Sequence, residues 1–456
     1  MSLTAPMMTS RKLRCADRLR CGRVRAMTEM TIIVIPADIQ APAIAAAHTL
    51  LRQEDRMRKV YRYGFDTPDR LEPIALLATL RAEQPVARIT LPYGEDAWLV
   101  TRHESVKTVL GDPRFSRATV VAAGDRTPRA GPFNPTPNPF SVTDPPHHAR
   151  LRKLVAGVFG RLAVELRRPR AEQVAGELID DMIAVGPPVD LIQAFAIQFP
   201  TLMIGEVLGV PQPDRLQVRD WTLPVLSYWS RTKHEVDRAH RRMREYVSSL
   251  VARKREHPEA DLLSTLVSHI DRQEIAEAEA IAVGVSMLLN DSTANQIGSF
   301  LYVLLTHPDQ LAWLRANPSR VPDAVEELLR FAPLTPDKPG GGQGNVRMAL
   351  ADVELDGVCI RAGDFVVTSI TSANRDERIF VDSHEIDLGR TPNPHMAFGH
   401  GPHHCPGDKL ARMWLQVAVS CLLTRFSNPQ LAVPADEVPW KVGTVNRGPA
   451  ALQVTW

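Results

Sequence analysis

The chain has 456 residues, 44% hydrophobic and 23% charged, the balance of a globular protein able to bury a large core. Its formal net charge of +2 excludes a whole-molecule electrostatic commitment to nucleic acid or to an anionic membrane. Five irregularly spaced cysteines, Cys15, Cys21, Cys359, Cys405 and Cys421, do not form a disulfide framework and point to a reducing cytoplasm.

The first 26 residues carry Arg11, Lys12, Arg14, Arg18, Arg20, Arg23 and Arg25 against the single acid Asp17. Such a leader suits a transit peptide or a nucleic-acid arm, but Met27 and Met30 stand just before ordinary sequence and favour an over-extended start. Residues 1–30 are therefore expected to be disordered or mis-annotated, and 31–456 to form one domain. Thr31 to Leu51 is apolar but broken by Pro36, Asp38, Gln40 and Pro42, so no membrane span is expected. Arg88 to Thr101 reads as a strand pair around a Pro92-Tyr93-Gly94 turn. Residues 122–146 read as a long loop, of the kind that often serves as a lid.

From Pro146 to about residue 335 helical patterns dominate, with breaks at Gly186-Pro187-Pro188 and His257-Pro258. The longest predicted helix runs from about Ile275 to Thr306, roughly 45 Å at 1.5 Å per residue. Its second half is apolar nearly all round, as in a buried helix, yet Asn290, Asp291, Ser292 and Thr293 sit in its middle. Buried polar groups of that kind need partners or a purpose. A helix from about Pro322 to Phe331 follows, then a hairpin turning at Asp356-Gly357, the strand FVVTSI and a final helix from near Pro406. The predicted fold is mainly α with small β-sheets.

Chemistry is densest in Phe398-Gly399-His400-Gly401-Pro402-His403-His404-Cys405-Pro406-Gly407. Its glycines let the backbone approach a flat ligand closely. Cys405 opens a helix, where unpaired N–H groups favour a thiolate serving as metal ligand, nucleophile or redox thiol. Zinc on His400, His403, His404 and Cys405 is weakened by crowding that opposes tetrahedral convergence, and an inert buried thiol leaves the glycines unexplained.

The loop resembles the haem-binding loop of the cytochrome P-450 family, Phe-x-x-Gly-x-x-x-Cys-x-Gly, through Phe398, Gly401, Cys405 and Gly407. Glu327-Leu328-Leu329-Arg330 resembles the family's Glu-x-x-Arg; an isolated pair at that spacing is usually a surface ion pair, whereas the resemblance implies a buried triad completed by Arg390. The helix start at Asp144-Pro145-Pro146 resembles the family's, with His148 and Arg152 four apart on one face. The resemblance covers about residues 60–456. It implies one large haem-thiolate fold, with haem b (iron protoporphyrin IX) between the long central helix and the helix after the cysteine loop. It implies Cys405 as the axial ligand of the iron, and haem contacts from His148, Arg152, Arg347, Phe398, Gly399, His403 and Gly407.

For the central helix the resemblance implies an acid–alcohol proton relay of Asp291, Ser292 and Thr293. Leu288-Leu289 departs from the small residue and glycine usual there, and two bulky side chains are expected to reshape the groove beside the iron. The expected reaction is oxidation of a secondary metabolite with dioxygen and electrons from a ferredoxin and its reductase, since the chain carries no reductase fingerprint. Pro406, the atypical central helix and the Trp440–Trp456 tail resemble the subgroup acting on aromatic cyclic dipeptides (diketopiperazines), by coupling or hydroxylation. The alternatives are hydroxylation of a macrolide, terpenoid or steroid, or a haem recruitment domain without turnover. Expected pocket walls are Met287, Asn290, Leu334, Thr335, Thr444 and Val445. Arg150, Lys153, Arg161, Lys409 and Arg412 are the expected docking cations.

Overall fold

The computed structural model describes residues 59–63, 70–72, 75–132, 139–227, 231–289, 291–335 and 346–456. The expected extension, residues 1–30, and its boundary with the domain lie outside the described residues, as does Asn290. The described residues, from Lys59 onward, fall in one compact unit.

The main core is helical. Apolar faces of Arg168–Val185, Gln198–Leu208, Leu262–Asp271, Glu277–Leu288, Asp291–Thr306, Val321–Phe331 and Asp408–Arg425 meet in one continuous cluster. Among the described residues no helix is long and apolar enough to cross a membrane.

A six-stranded sheet has the spatial order Val60–Arg62, Val86–Thr90, Ala97–Val100, Phe365–Thr368, Val346–Ala349, Phe115–Ser116. The predicted strand pair is present as Val86–Thr90 against Ala97–Val100, antiparallel. Ala97–Val100 also pairs in parallel with Phe365–Thr368, Ala97 lying opposite Phe365. All four residues of Ala97–Val100 are buried, as expected of a strand covered on both faces. Trp98 and Val100 pack into one cluster, and Ala97 and Leu99 into another on the opposite face, following the two-residue period. The Asp356-Gly357 turn joins Val353–Leu355 to Val358–Ile360, with both turn residues at positive φ (48° and 78°) as a two-residue hairpin demands.

The predicted central helix is interrupted. Glu277–Leu288 ends at Leu289 (φ −72°, ψ 54°), and Asp291–Thr306 begins anew. Leu289 leaves the helical region, and inside the second helix Asn295 Nδ2 donates to the carbonyl of its first residue, Asp291, at 2.7 Å. Asp291 thereby becomes a first-turn carboxylate at the positive end of a helix. The longest described helix is instead Lys233–Glu256, begun by a Thr232–Glu235 capping box.

Candidate active site

The cysteine loop is held open by two glycines and closed by its own amides. Gly399 (φ 74°) and Gly401 (φ 70°) adopt left-handed conformations, and a Cβ on Gly401 would lie 2.5 Å from the Leu110 carbonyl oxygen. The Cys405 amide donates to the Phe398 carbonyl at 2.8 Å, and Arg152 donates to the His404 carbonyl. Cys405 reaches a cavity of about 400 Å³ that both Asp291–Thr306 and Asp408–Arg425 help to wall.

Cys405 does not open the helix as expected: it stands two residues before the cap, Gly407, of Asp408–Arg425. Burial pushes its thiol up to about 11, outweighing the Gly407 amide that favours the thiolate. Burial thus favours the neutral thiol, and a cation placed beside the sulfur would favour the thiolate.

Two buried guanidiniums line the same cavity, Arg117 and Arg347, only 3% and 2% exposed. Both donate through Nη1 to the Val346 carbonyl, at 3.1 and 3.0 Å. Burial lowers Arg347 to about 10, and burial followed by the Arg347 charge also lowers Arg117 well below its ordinary value. His403, beside them, is pushed down to about 3 by burial and then by Arg347, His148 and Arg117. Asp144 is the counter-charge: it accepts from Ser116 Oγ at 2.5 Å and from the Arg117 amide at 2.9 Å. One wall of a mostly apolar cavity is thus strongly positive, the signature of an anion site.

Of the expected haem contacts, Arg347, Phe398, Gly399, His403, Cys405 and Gly407 line the cavity. His148 and Arg152 stand behind its lining: the His148 ring lies 4.2 Å from that of His403, and Arg152 braces the loop. Ser292, Thr293, Leu334 and Thr335 line it; Met287, Thr444 and Val445 do not. Asp291 turns the other way, with Oδ1 3.3 Å from Arg219 and Oδ2 3.7 Å from Lys441. Leu288 packs beside Asp291 in a separate small pocket and Leu289 against the main core, so neither narrows the cysteine cavity as expected. Among the described residues no group of three or more histidine, cysteine and acidic side chains converges as metal ligands would.

Sequence reasoning missed Arg117 and Gln296, both on the cavity wall. Nothing local distinguishes Arg117, which simply follows the two-residue strand Phe115–Ser116. Gln296 continues the polar run of the central helix by one turn, a signal that was available.

Glu327, fully buried, receives Arg330 through Nε and Nη2, each at 2.7 Å, and Arg390 Nε at 3.1 Å. Asn393 Nδ2 and the Asp387 amide add donors at 3.0 Å each. A buried carboxylate so fully paired ties Val321–Phe331 to the segment leading into the cysteine loop.

The family profile described as Cytochrome P450 matches residues 203–444. Nocardicin C N-oxygenase of Nocardia uniformis subsp. tsuyamanensis is 45% identical over 86% of this chain and 98% of its own. Mycinamicin IV hydroxylase/epoxidase of Micromonospora griseorubida is 41% identical over 86% of this chain and 98% of its own. A solved structure of a cytochrome P450mel with biaryl coupling reactivity superposes with a TM-score of 0.81 at 41% identity, covering 87% of this chain and 100% of that one.

Proposed function

Because the chain belongs to the cytochrome P450 family of haem-thiolate oxidoreductases, we propose that its reaction centre is the Cys405 cavity, with the sulfur holding the iron of protoporphyrin IX. The observation that carries this reading is the meeting, in one cavity of about 400 Å³, of a thiol on its wall and two buried guanidiniums. A flat apolar ring with two carboxylates fits that combination: Cys405 takes the iron, and Arg117, Arg347 and His403 take the carboxylates. When bound, such a group activates dioxygen, the cysteinate favouring cleavage of the O–O bond.

The chain's own residues supply orientation, protons and dryness. Leu110, Phe140, Leu329, Ile370 and Leu415 keep the cavity apolar. The hydroxyls of Ser292 and Thr293 hold a proton at its wall, and Asp291, one residue earlier, replenishes it from the side of Arg219 and Lys441. Electrons come from a cytoplasmic ferredoxin and its reductase. Exposed Lys153, Arg161 and Lys409 suit an acidic donor, whereas Arg150 and Arg412 are engaged by Glu279 and Glu326.

The substrate is a secondary metabolite, and within that class we favour an aromatic cyclic dipeptide (diketopiperazine), coupled or hydroxylated. Pro406 and the Trp440–Trp456 tail support this, together with a structural neighbour described as having biaryl coupling reactivity. A second reading, hydroxylation of a macrolide, terpenoid or steroid, draws on the relative named as a hydroxylase/epoxidase. Recruitment without turnover is disfavoured by the two hydroxyls on the cavity wall.

The test is the carbon-monoxide difference spectrum of the reduced protein. A strongly red-shifted main band, lost in Cys405→Ala, is expected; an unshifted band in the unmodified protein overturns the assignment. Spectral titration with aromatic cyclic dipeptides, beside macrolide and steroid probes, separates the two substrate readings.

A further inference from the structure

Glu326 and Glu327 are neighbours on Val321–Phe331, and successive helical residues point about 100° apart. The two carboxylates therefore grip different partners. Glu327 faces inward to Arg330 and Arg390. Glu326, its side chain 27% exposed, turns to Arg412 Nε at 2.8 Å and His395 Nε2 at 2.9 Å.

Both of those partners lead to the cysteine loop. The His395 side chain is 2% exposed, and its Nδ1 accepts the Ala397 amide at 3.1 Å. An Nδ1 that accepts leaves the proton on Nε2, which donates it to Glu326. Arg412 lies with its guanidinium carbon 4.4 Å from the centroid of the Phe398 ring and donates a second time, to Asp408 at 2.7 Å. The Phe398 carbonyl in turn fixes the Cys405 amide at 2.8 Å. One carboxylate thus braces residues 397 and 398, and residue 398 braces the cysteine.

We infer that Glu326, acting through His395 and Arg412, is a positioning residue that fixes the Cys405 sulfur and sets the charge balance behind it. The inference rests on the haem-thiolate reading above. Glu326 and Asp408 carry negative charge, Arg412 positive charge, and His395 in this tautomer none. Removing the Glu326 charge makes this side of the site more positive and favours the electron-rich reduced iron. Removing the Arg412 charge does the reverse. A clamp that served stability alone would give no such opposition of sign.

The experiment uses holoprotein of the wild type, Glu326→Gln, Arg412→Gln, the double variant and His395→Ala. Each is assayed for haem content, thermal midpoint, haem midpoint potential and the reduced carbon-monoxide band. The potential is expected to rise in Glu326→Gln, fall in Arg412→Gln and lie between them in the double variant. His395→Ala, which frees the Ala397 amide, is expected to enlarge the unshifted share of the carbon-monoxide band. Potentials that move together, or stay at the wild-type value while haem is retained, overturn the inference. Should Glu326→Gln fail to hold haem, Arg412→Gln decides alone, a fall supporting the inference and no change or a rise overturning it. A wild-type protein without the red-shifted band sinks the haem-thiolate assignment itself, which the other readings keep distinguishable.

Discussion

Arg117 and Arg347 share one carbonyl and a common burial, and the Asp144 carboxylate beside them offsets part of the cost of holding two positive charges there. Substituting Arg347 by Leu therefore separates cofactor retention from folding. The apoprotein is expected to stay folded with a lowered melting temperature, because Asp144 loses a buried counter-charge while leucine keeps the space filled. The holoprotein is expected to release haem to a scavenger about ten-fold faster or more, since a hydrogen bond to a charged group contributes roughly 1.5–3 kcal/mol. Equal release rates would remove Arg347 from the carboxylate-binding wall. At this scale the distinctive spacing of the cysteine loop pointed to Cys405 and His403, whereas Arg347 followed only from the family resemblance. The sequence did not show Arg117, because burial of a lone arginine after a two-residue strand depends on tertiary packing. Nor did it show that the helix begins only at Asp408 and that burial outweighs the Gly407 amide at Cys405.

At the scale of elements, the cysteine loop and the interrupted central helix each depend on one local feature. Gly401 combines a positive φ with a 2.5 Å approach to the Leu110 carbonyl, so Gly401→Ala must strain the turn and push the loop from His103–Gly111. Left-handed strain alone costs roughly 1–3 kcal/mol. Protein carrying Gly401→Ala is expected to purify with sharply reduced haem content while its far-ultraviolet helical signal persists. Asp291 poses a different question, because it begins a helix and faces two cations rather than the cavity. In Asp291→Asn, substrate oxidation per electron consumed is expected to fall about a hundred-fold, in line with loss of a general acid–base group. Haem content and the carbon-monoxide band are expected to stay as in the wild type. Unchanged coupling would place Asp291 outside the proton path and leave it as a tie between helices. The polar run at 290–293 was legible as an anomaly, but its outcome was not. Periodicity cannot tell a continuous helix with polar residues from two helices divided by them.

The whole molecule joins distant segments through strands too short to announce their partners. Ala97–Val100 beside Phe365–Thr368 places the N-terminal hairpin against the strand pair that carries Arg347, and no local pattern encodes that pairing. What the sequence did encode was the order of motifs, from the His148 helix through Glu327 and Arg330 to the cysteine loop, and that order sufficed for the architecture.

A consequence of this convergence is testable by pH. His148, His400, His403 and His404 all titrate below the ordinary histidine value, burial being the first cause in each, with His403 down to about 3. An unfolded chain takes up protons on these imidazoles near pH 6.5, whereas the folded chain resists them. The unfolded state then binds more protons, so stability is full above about pH 6.5 and declines as pH falls toward 3. Apoprotein melting temperature is accordingly expected to drop steadily between pH 7 and pH 4, above the range where most carboxylates protonate. His403→Asn, which keeps polarity but cannot take up the proton, is expected to make that slope shallower. An identical slope in the variant would mean that the acid sensitivity arises elsewhere, and that His403 is less deeply enclosed by Arg117 and Arg347 than the geometry around Val346 requires.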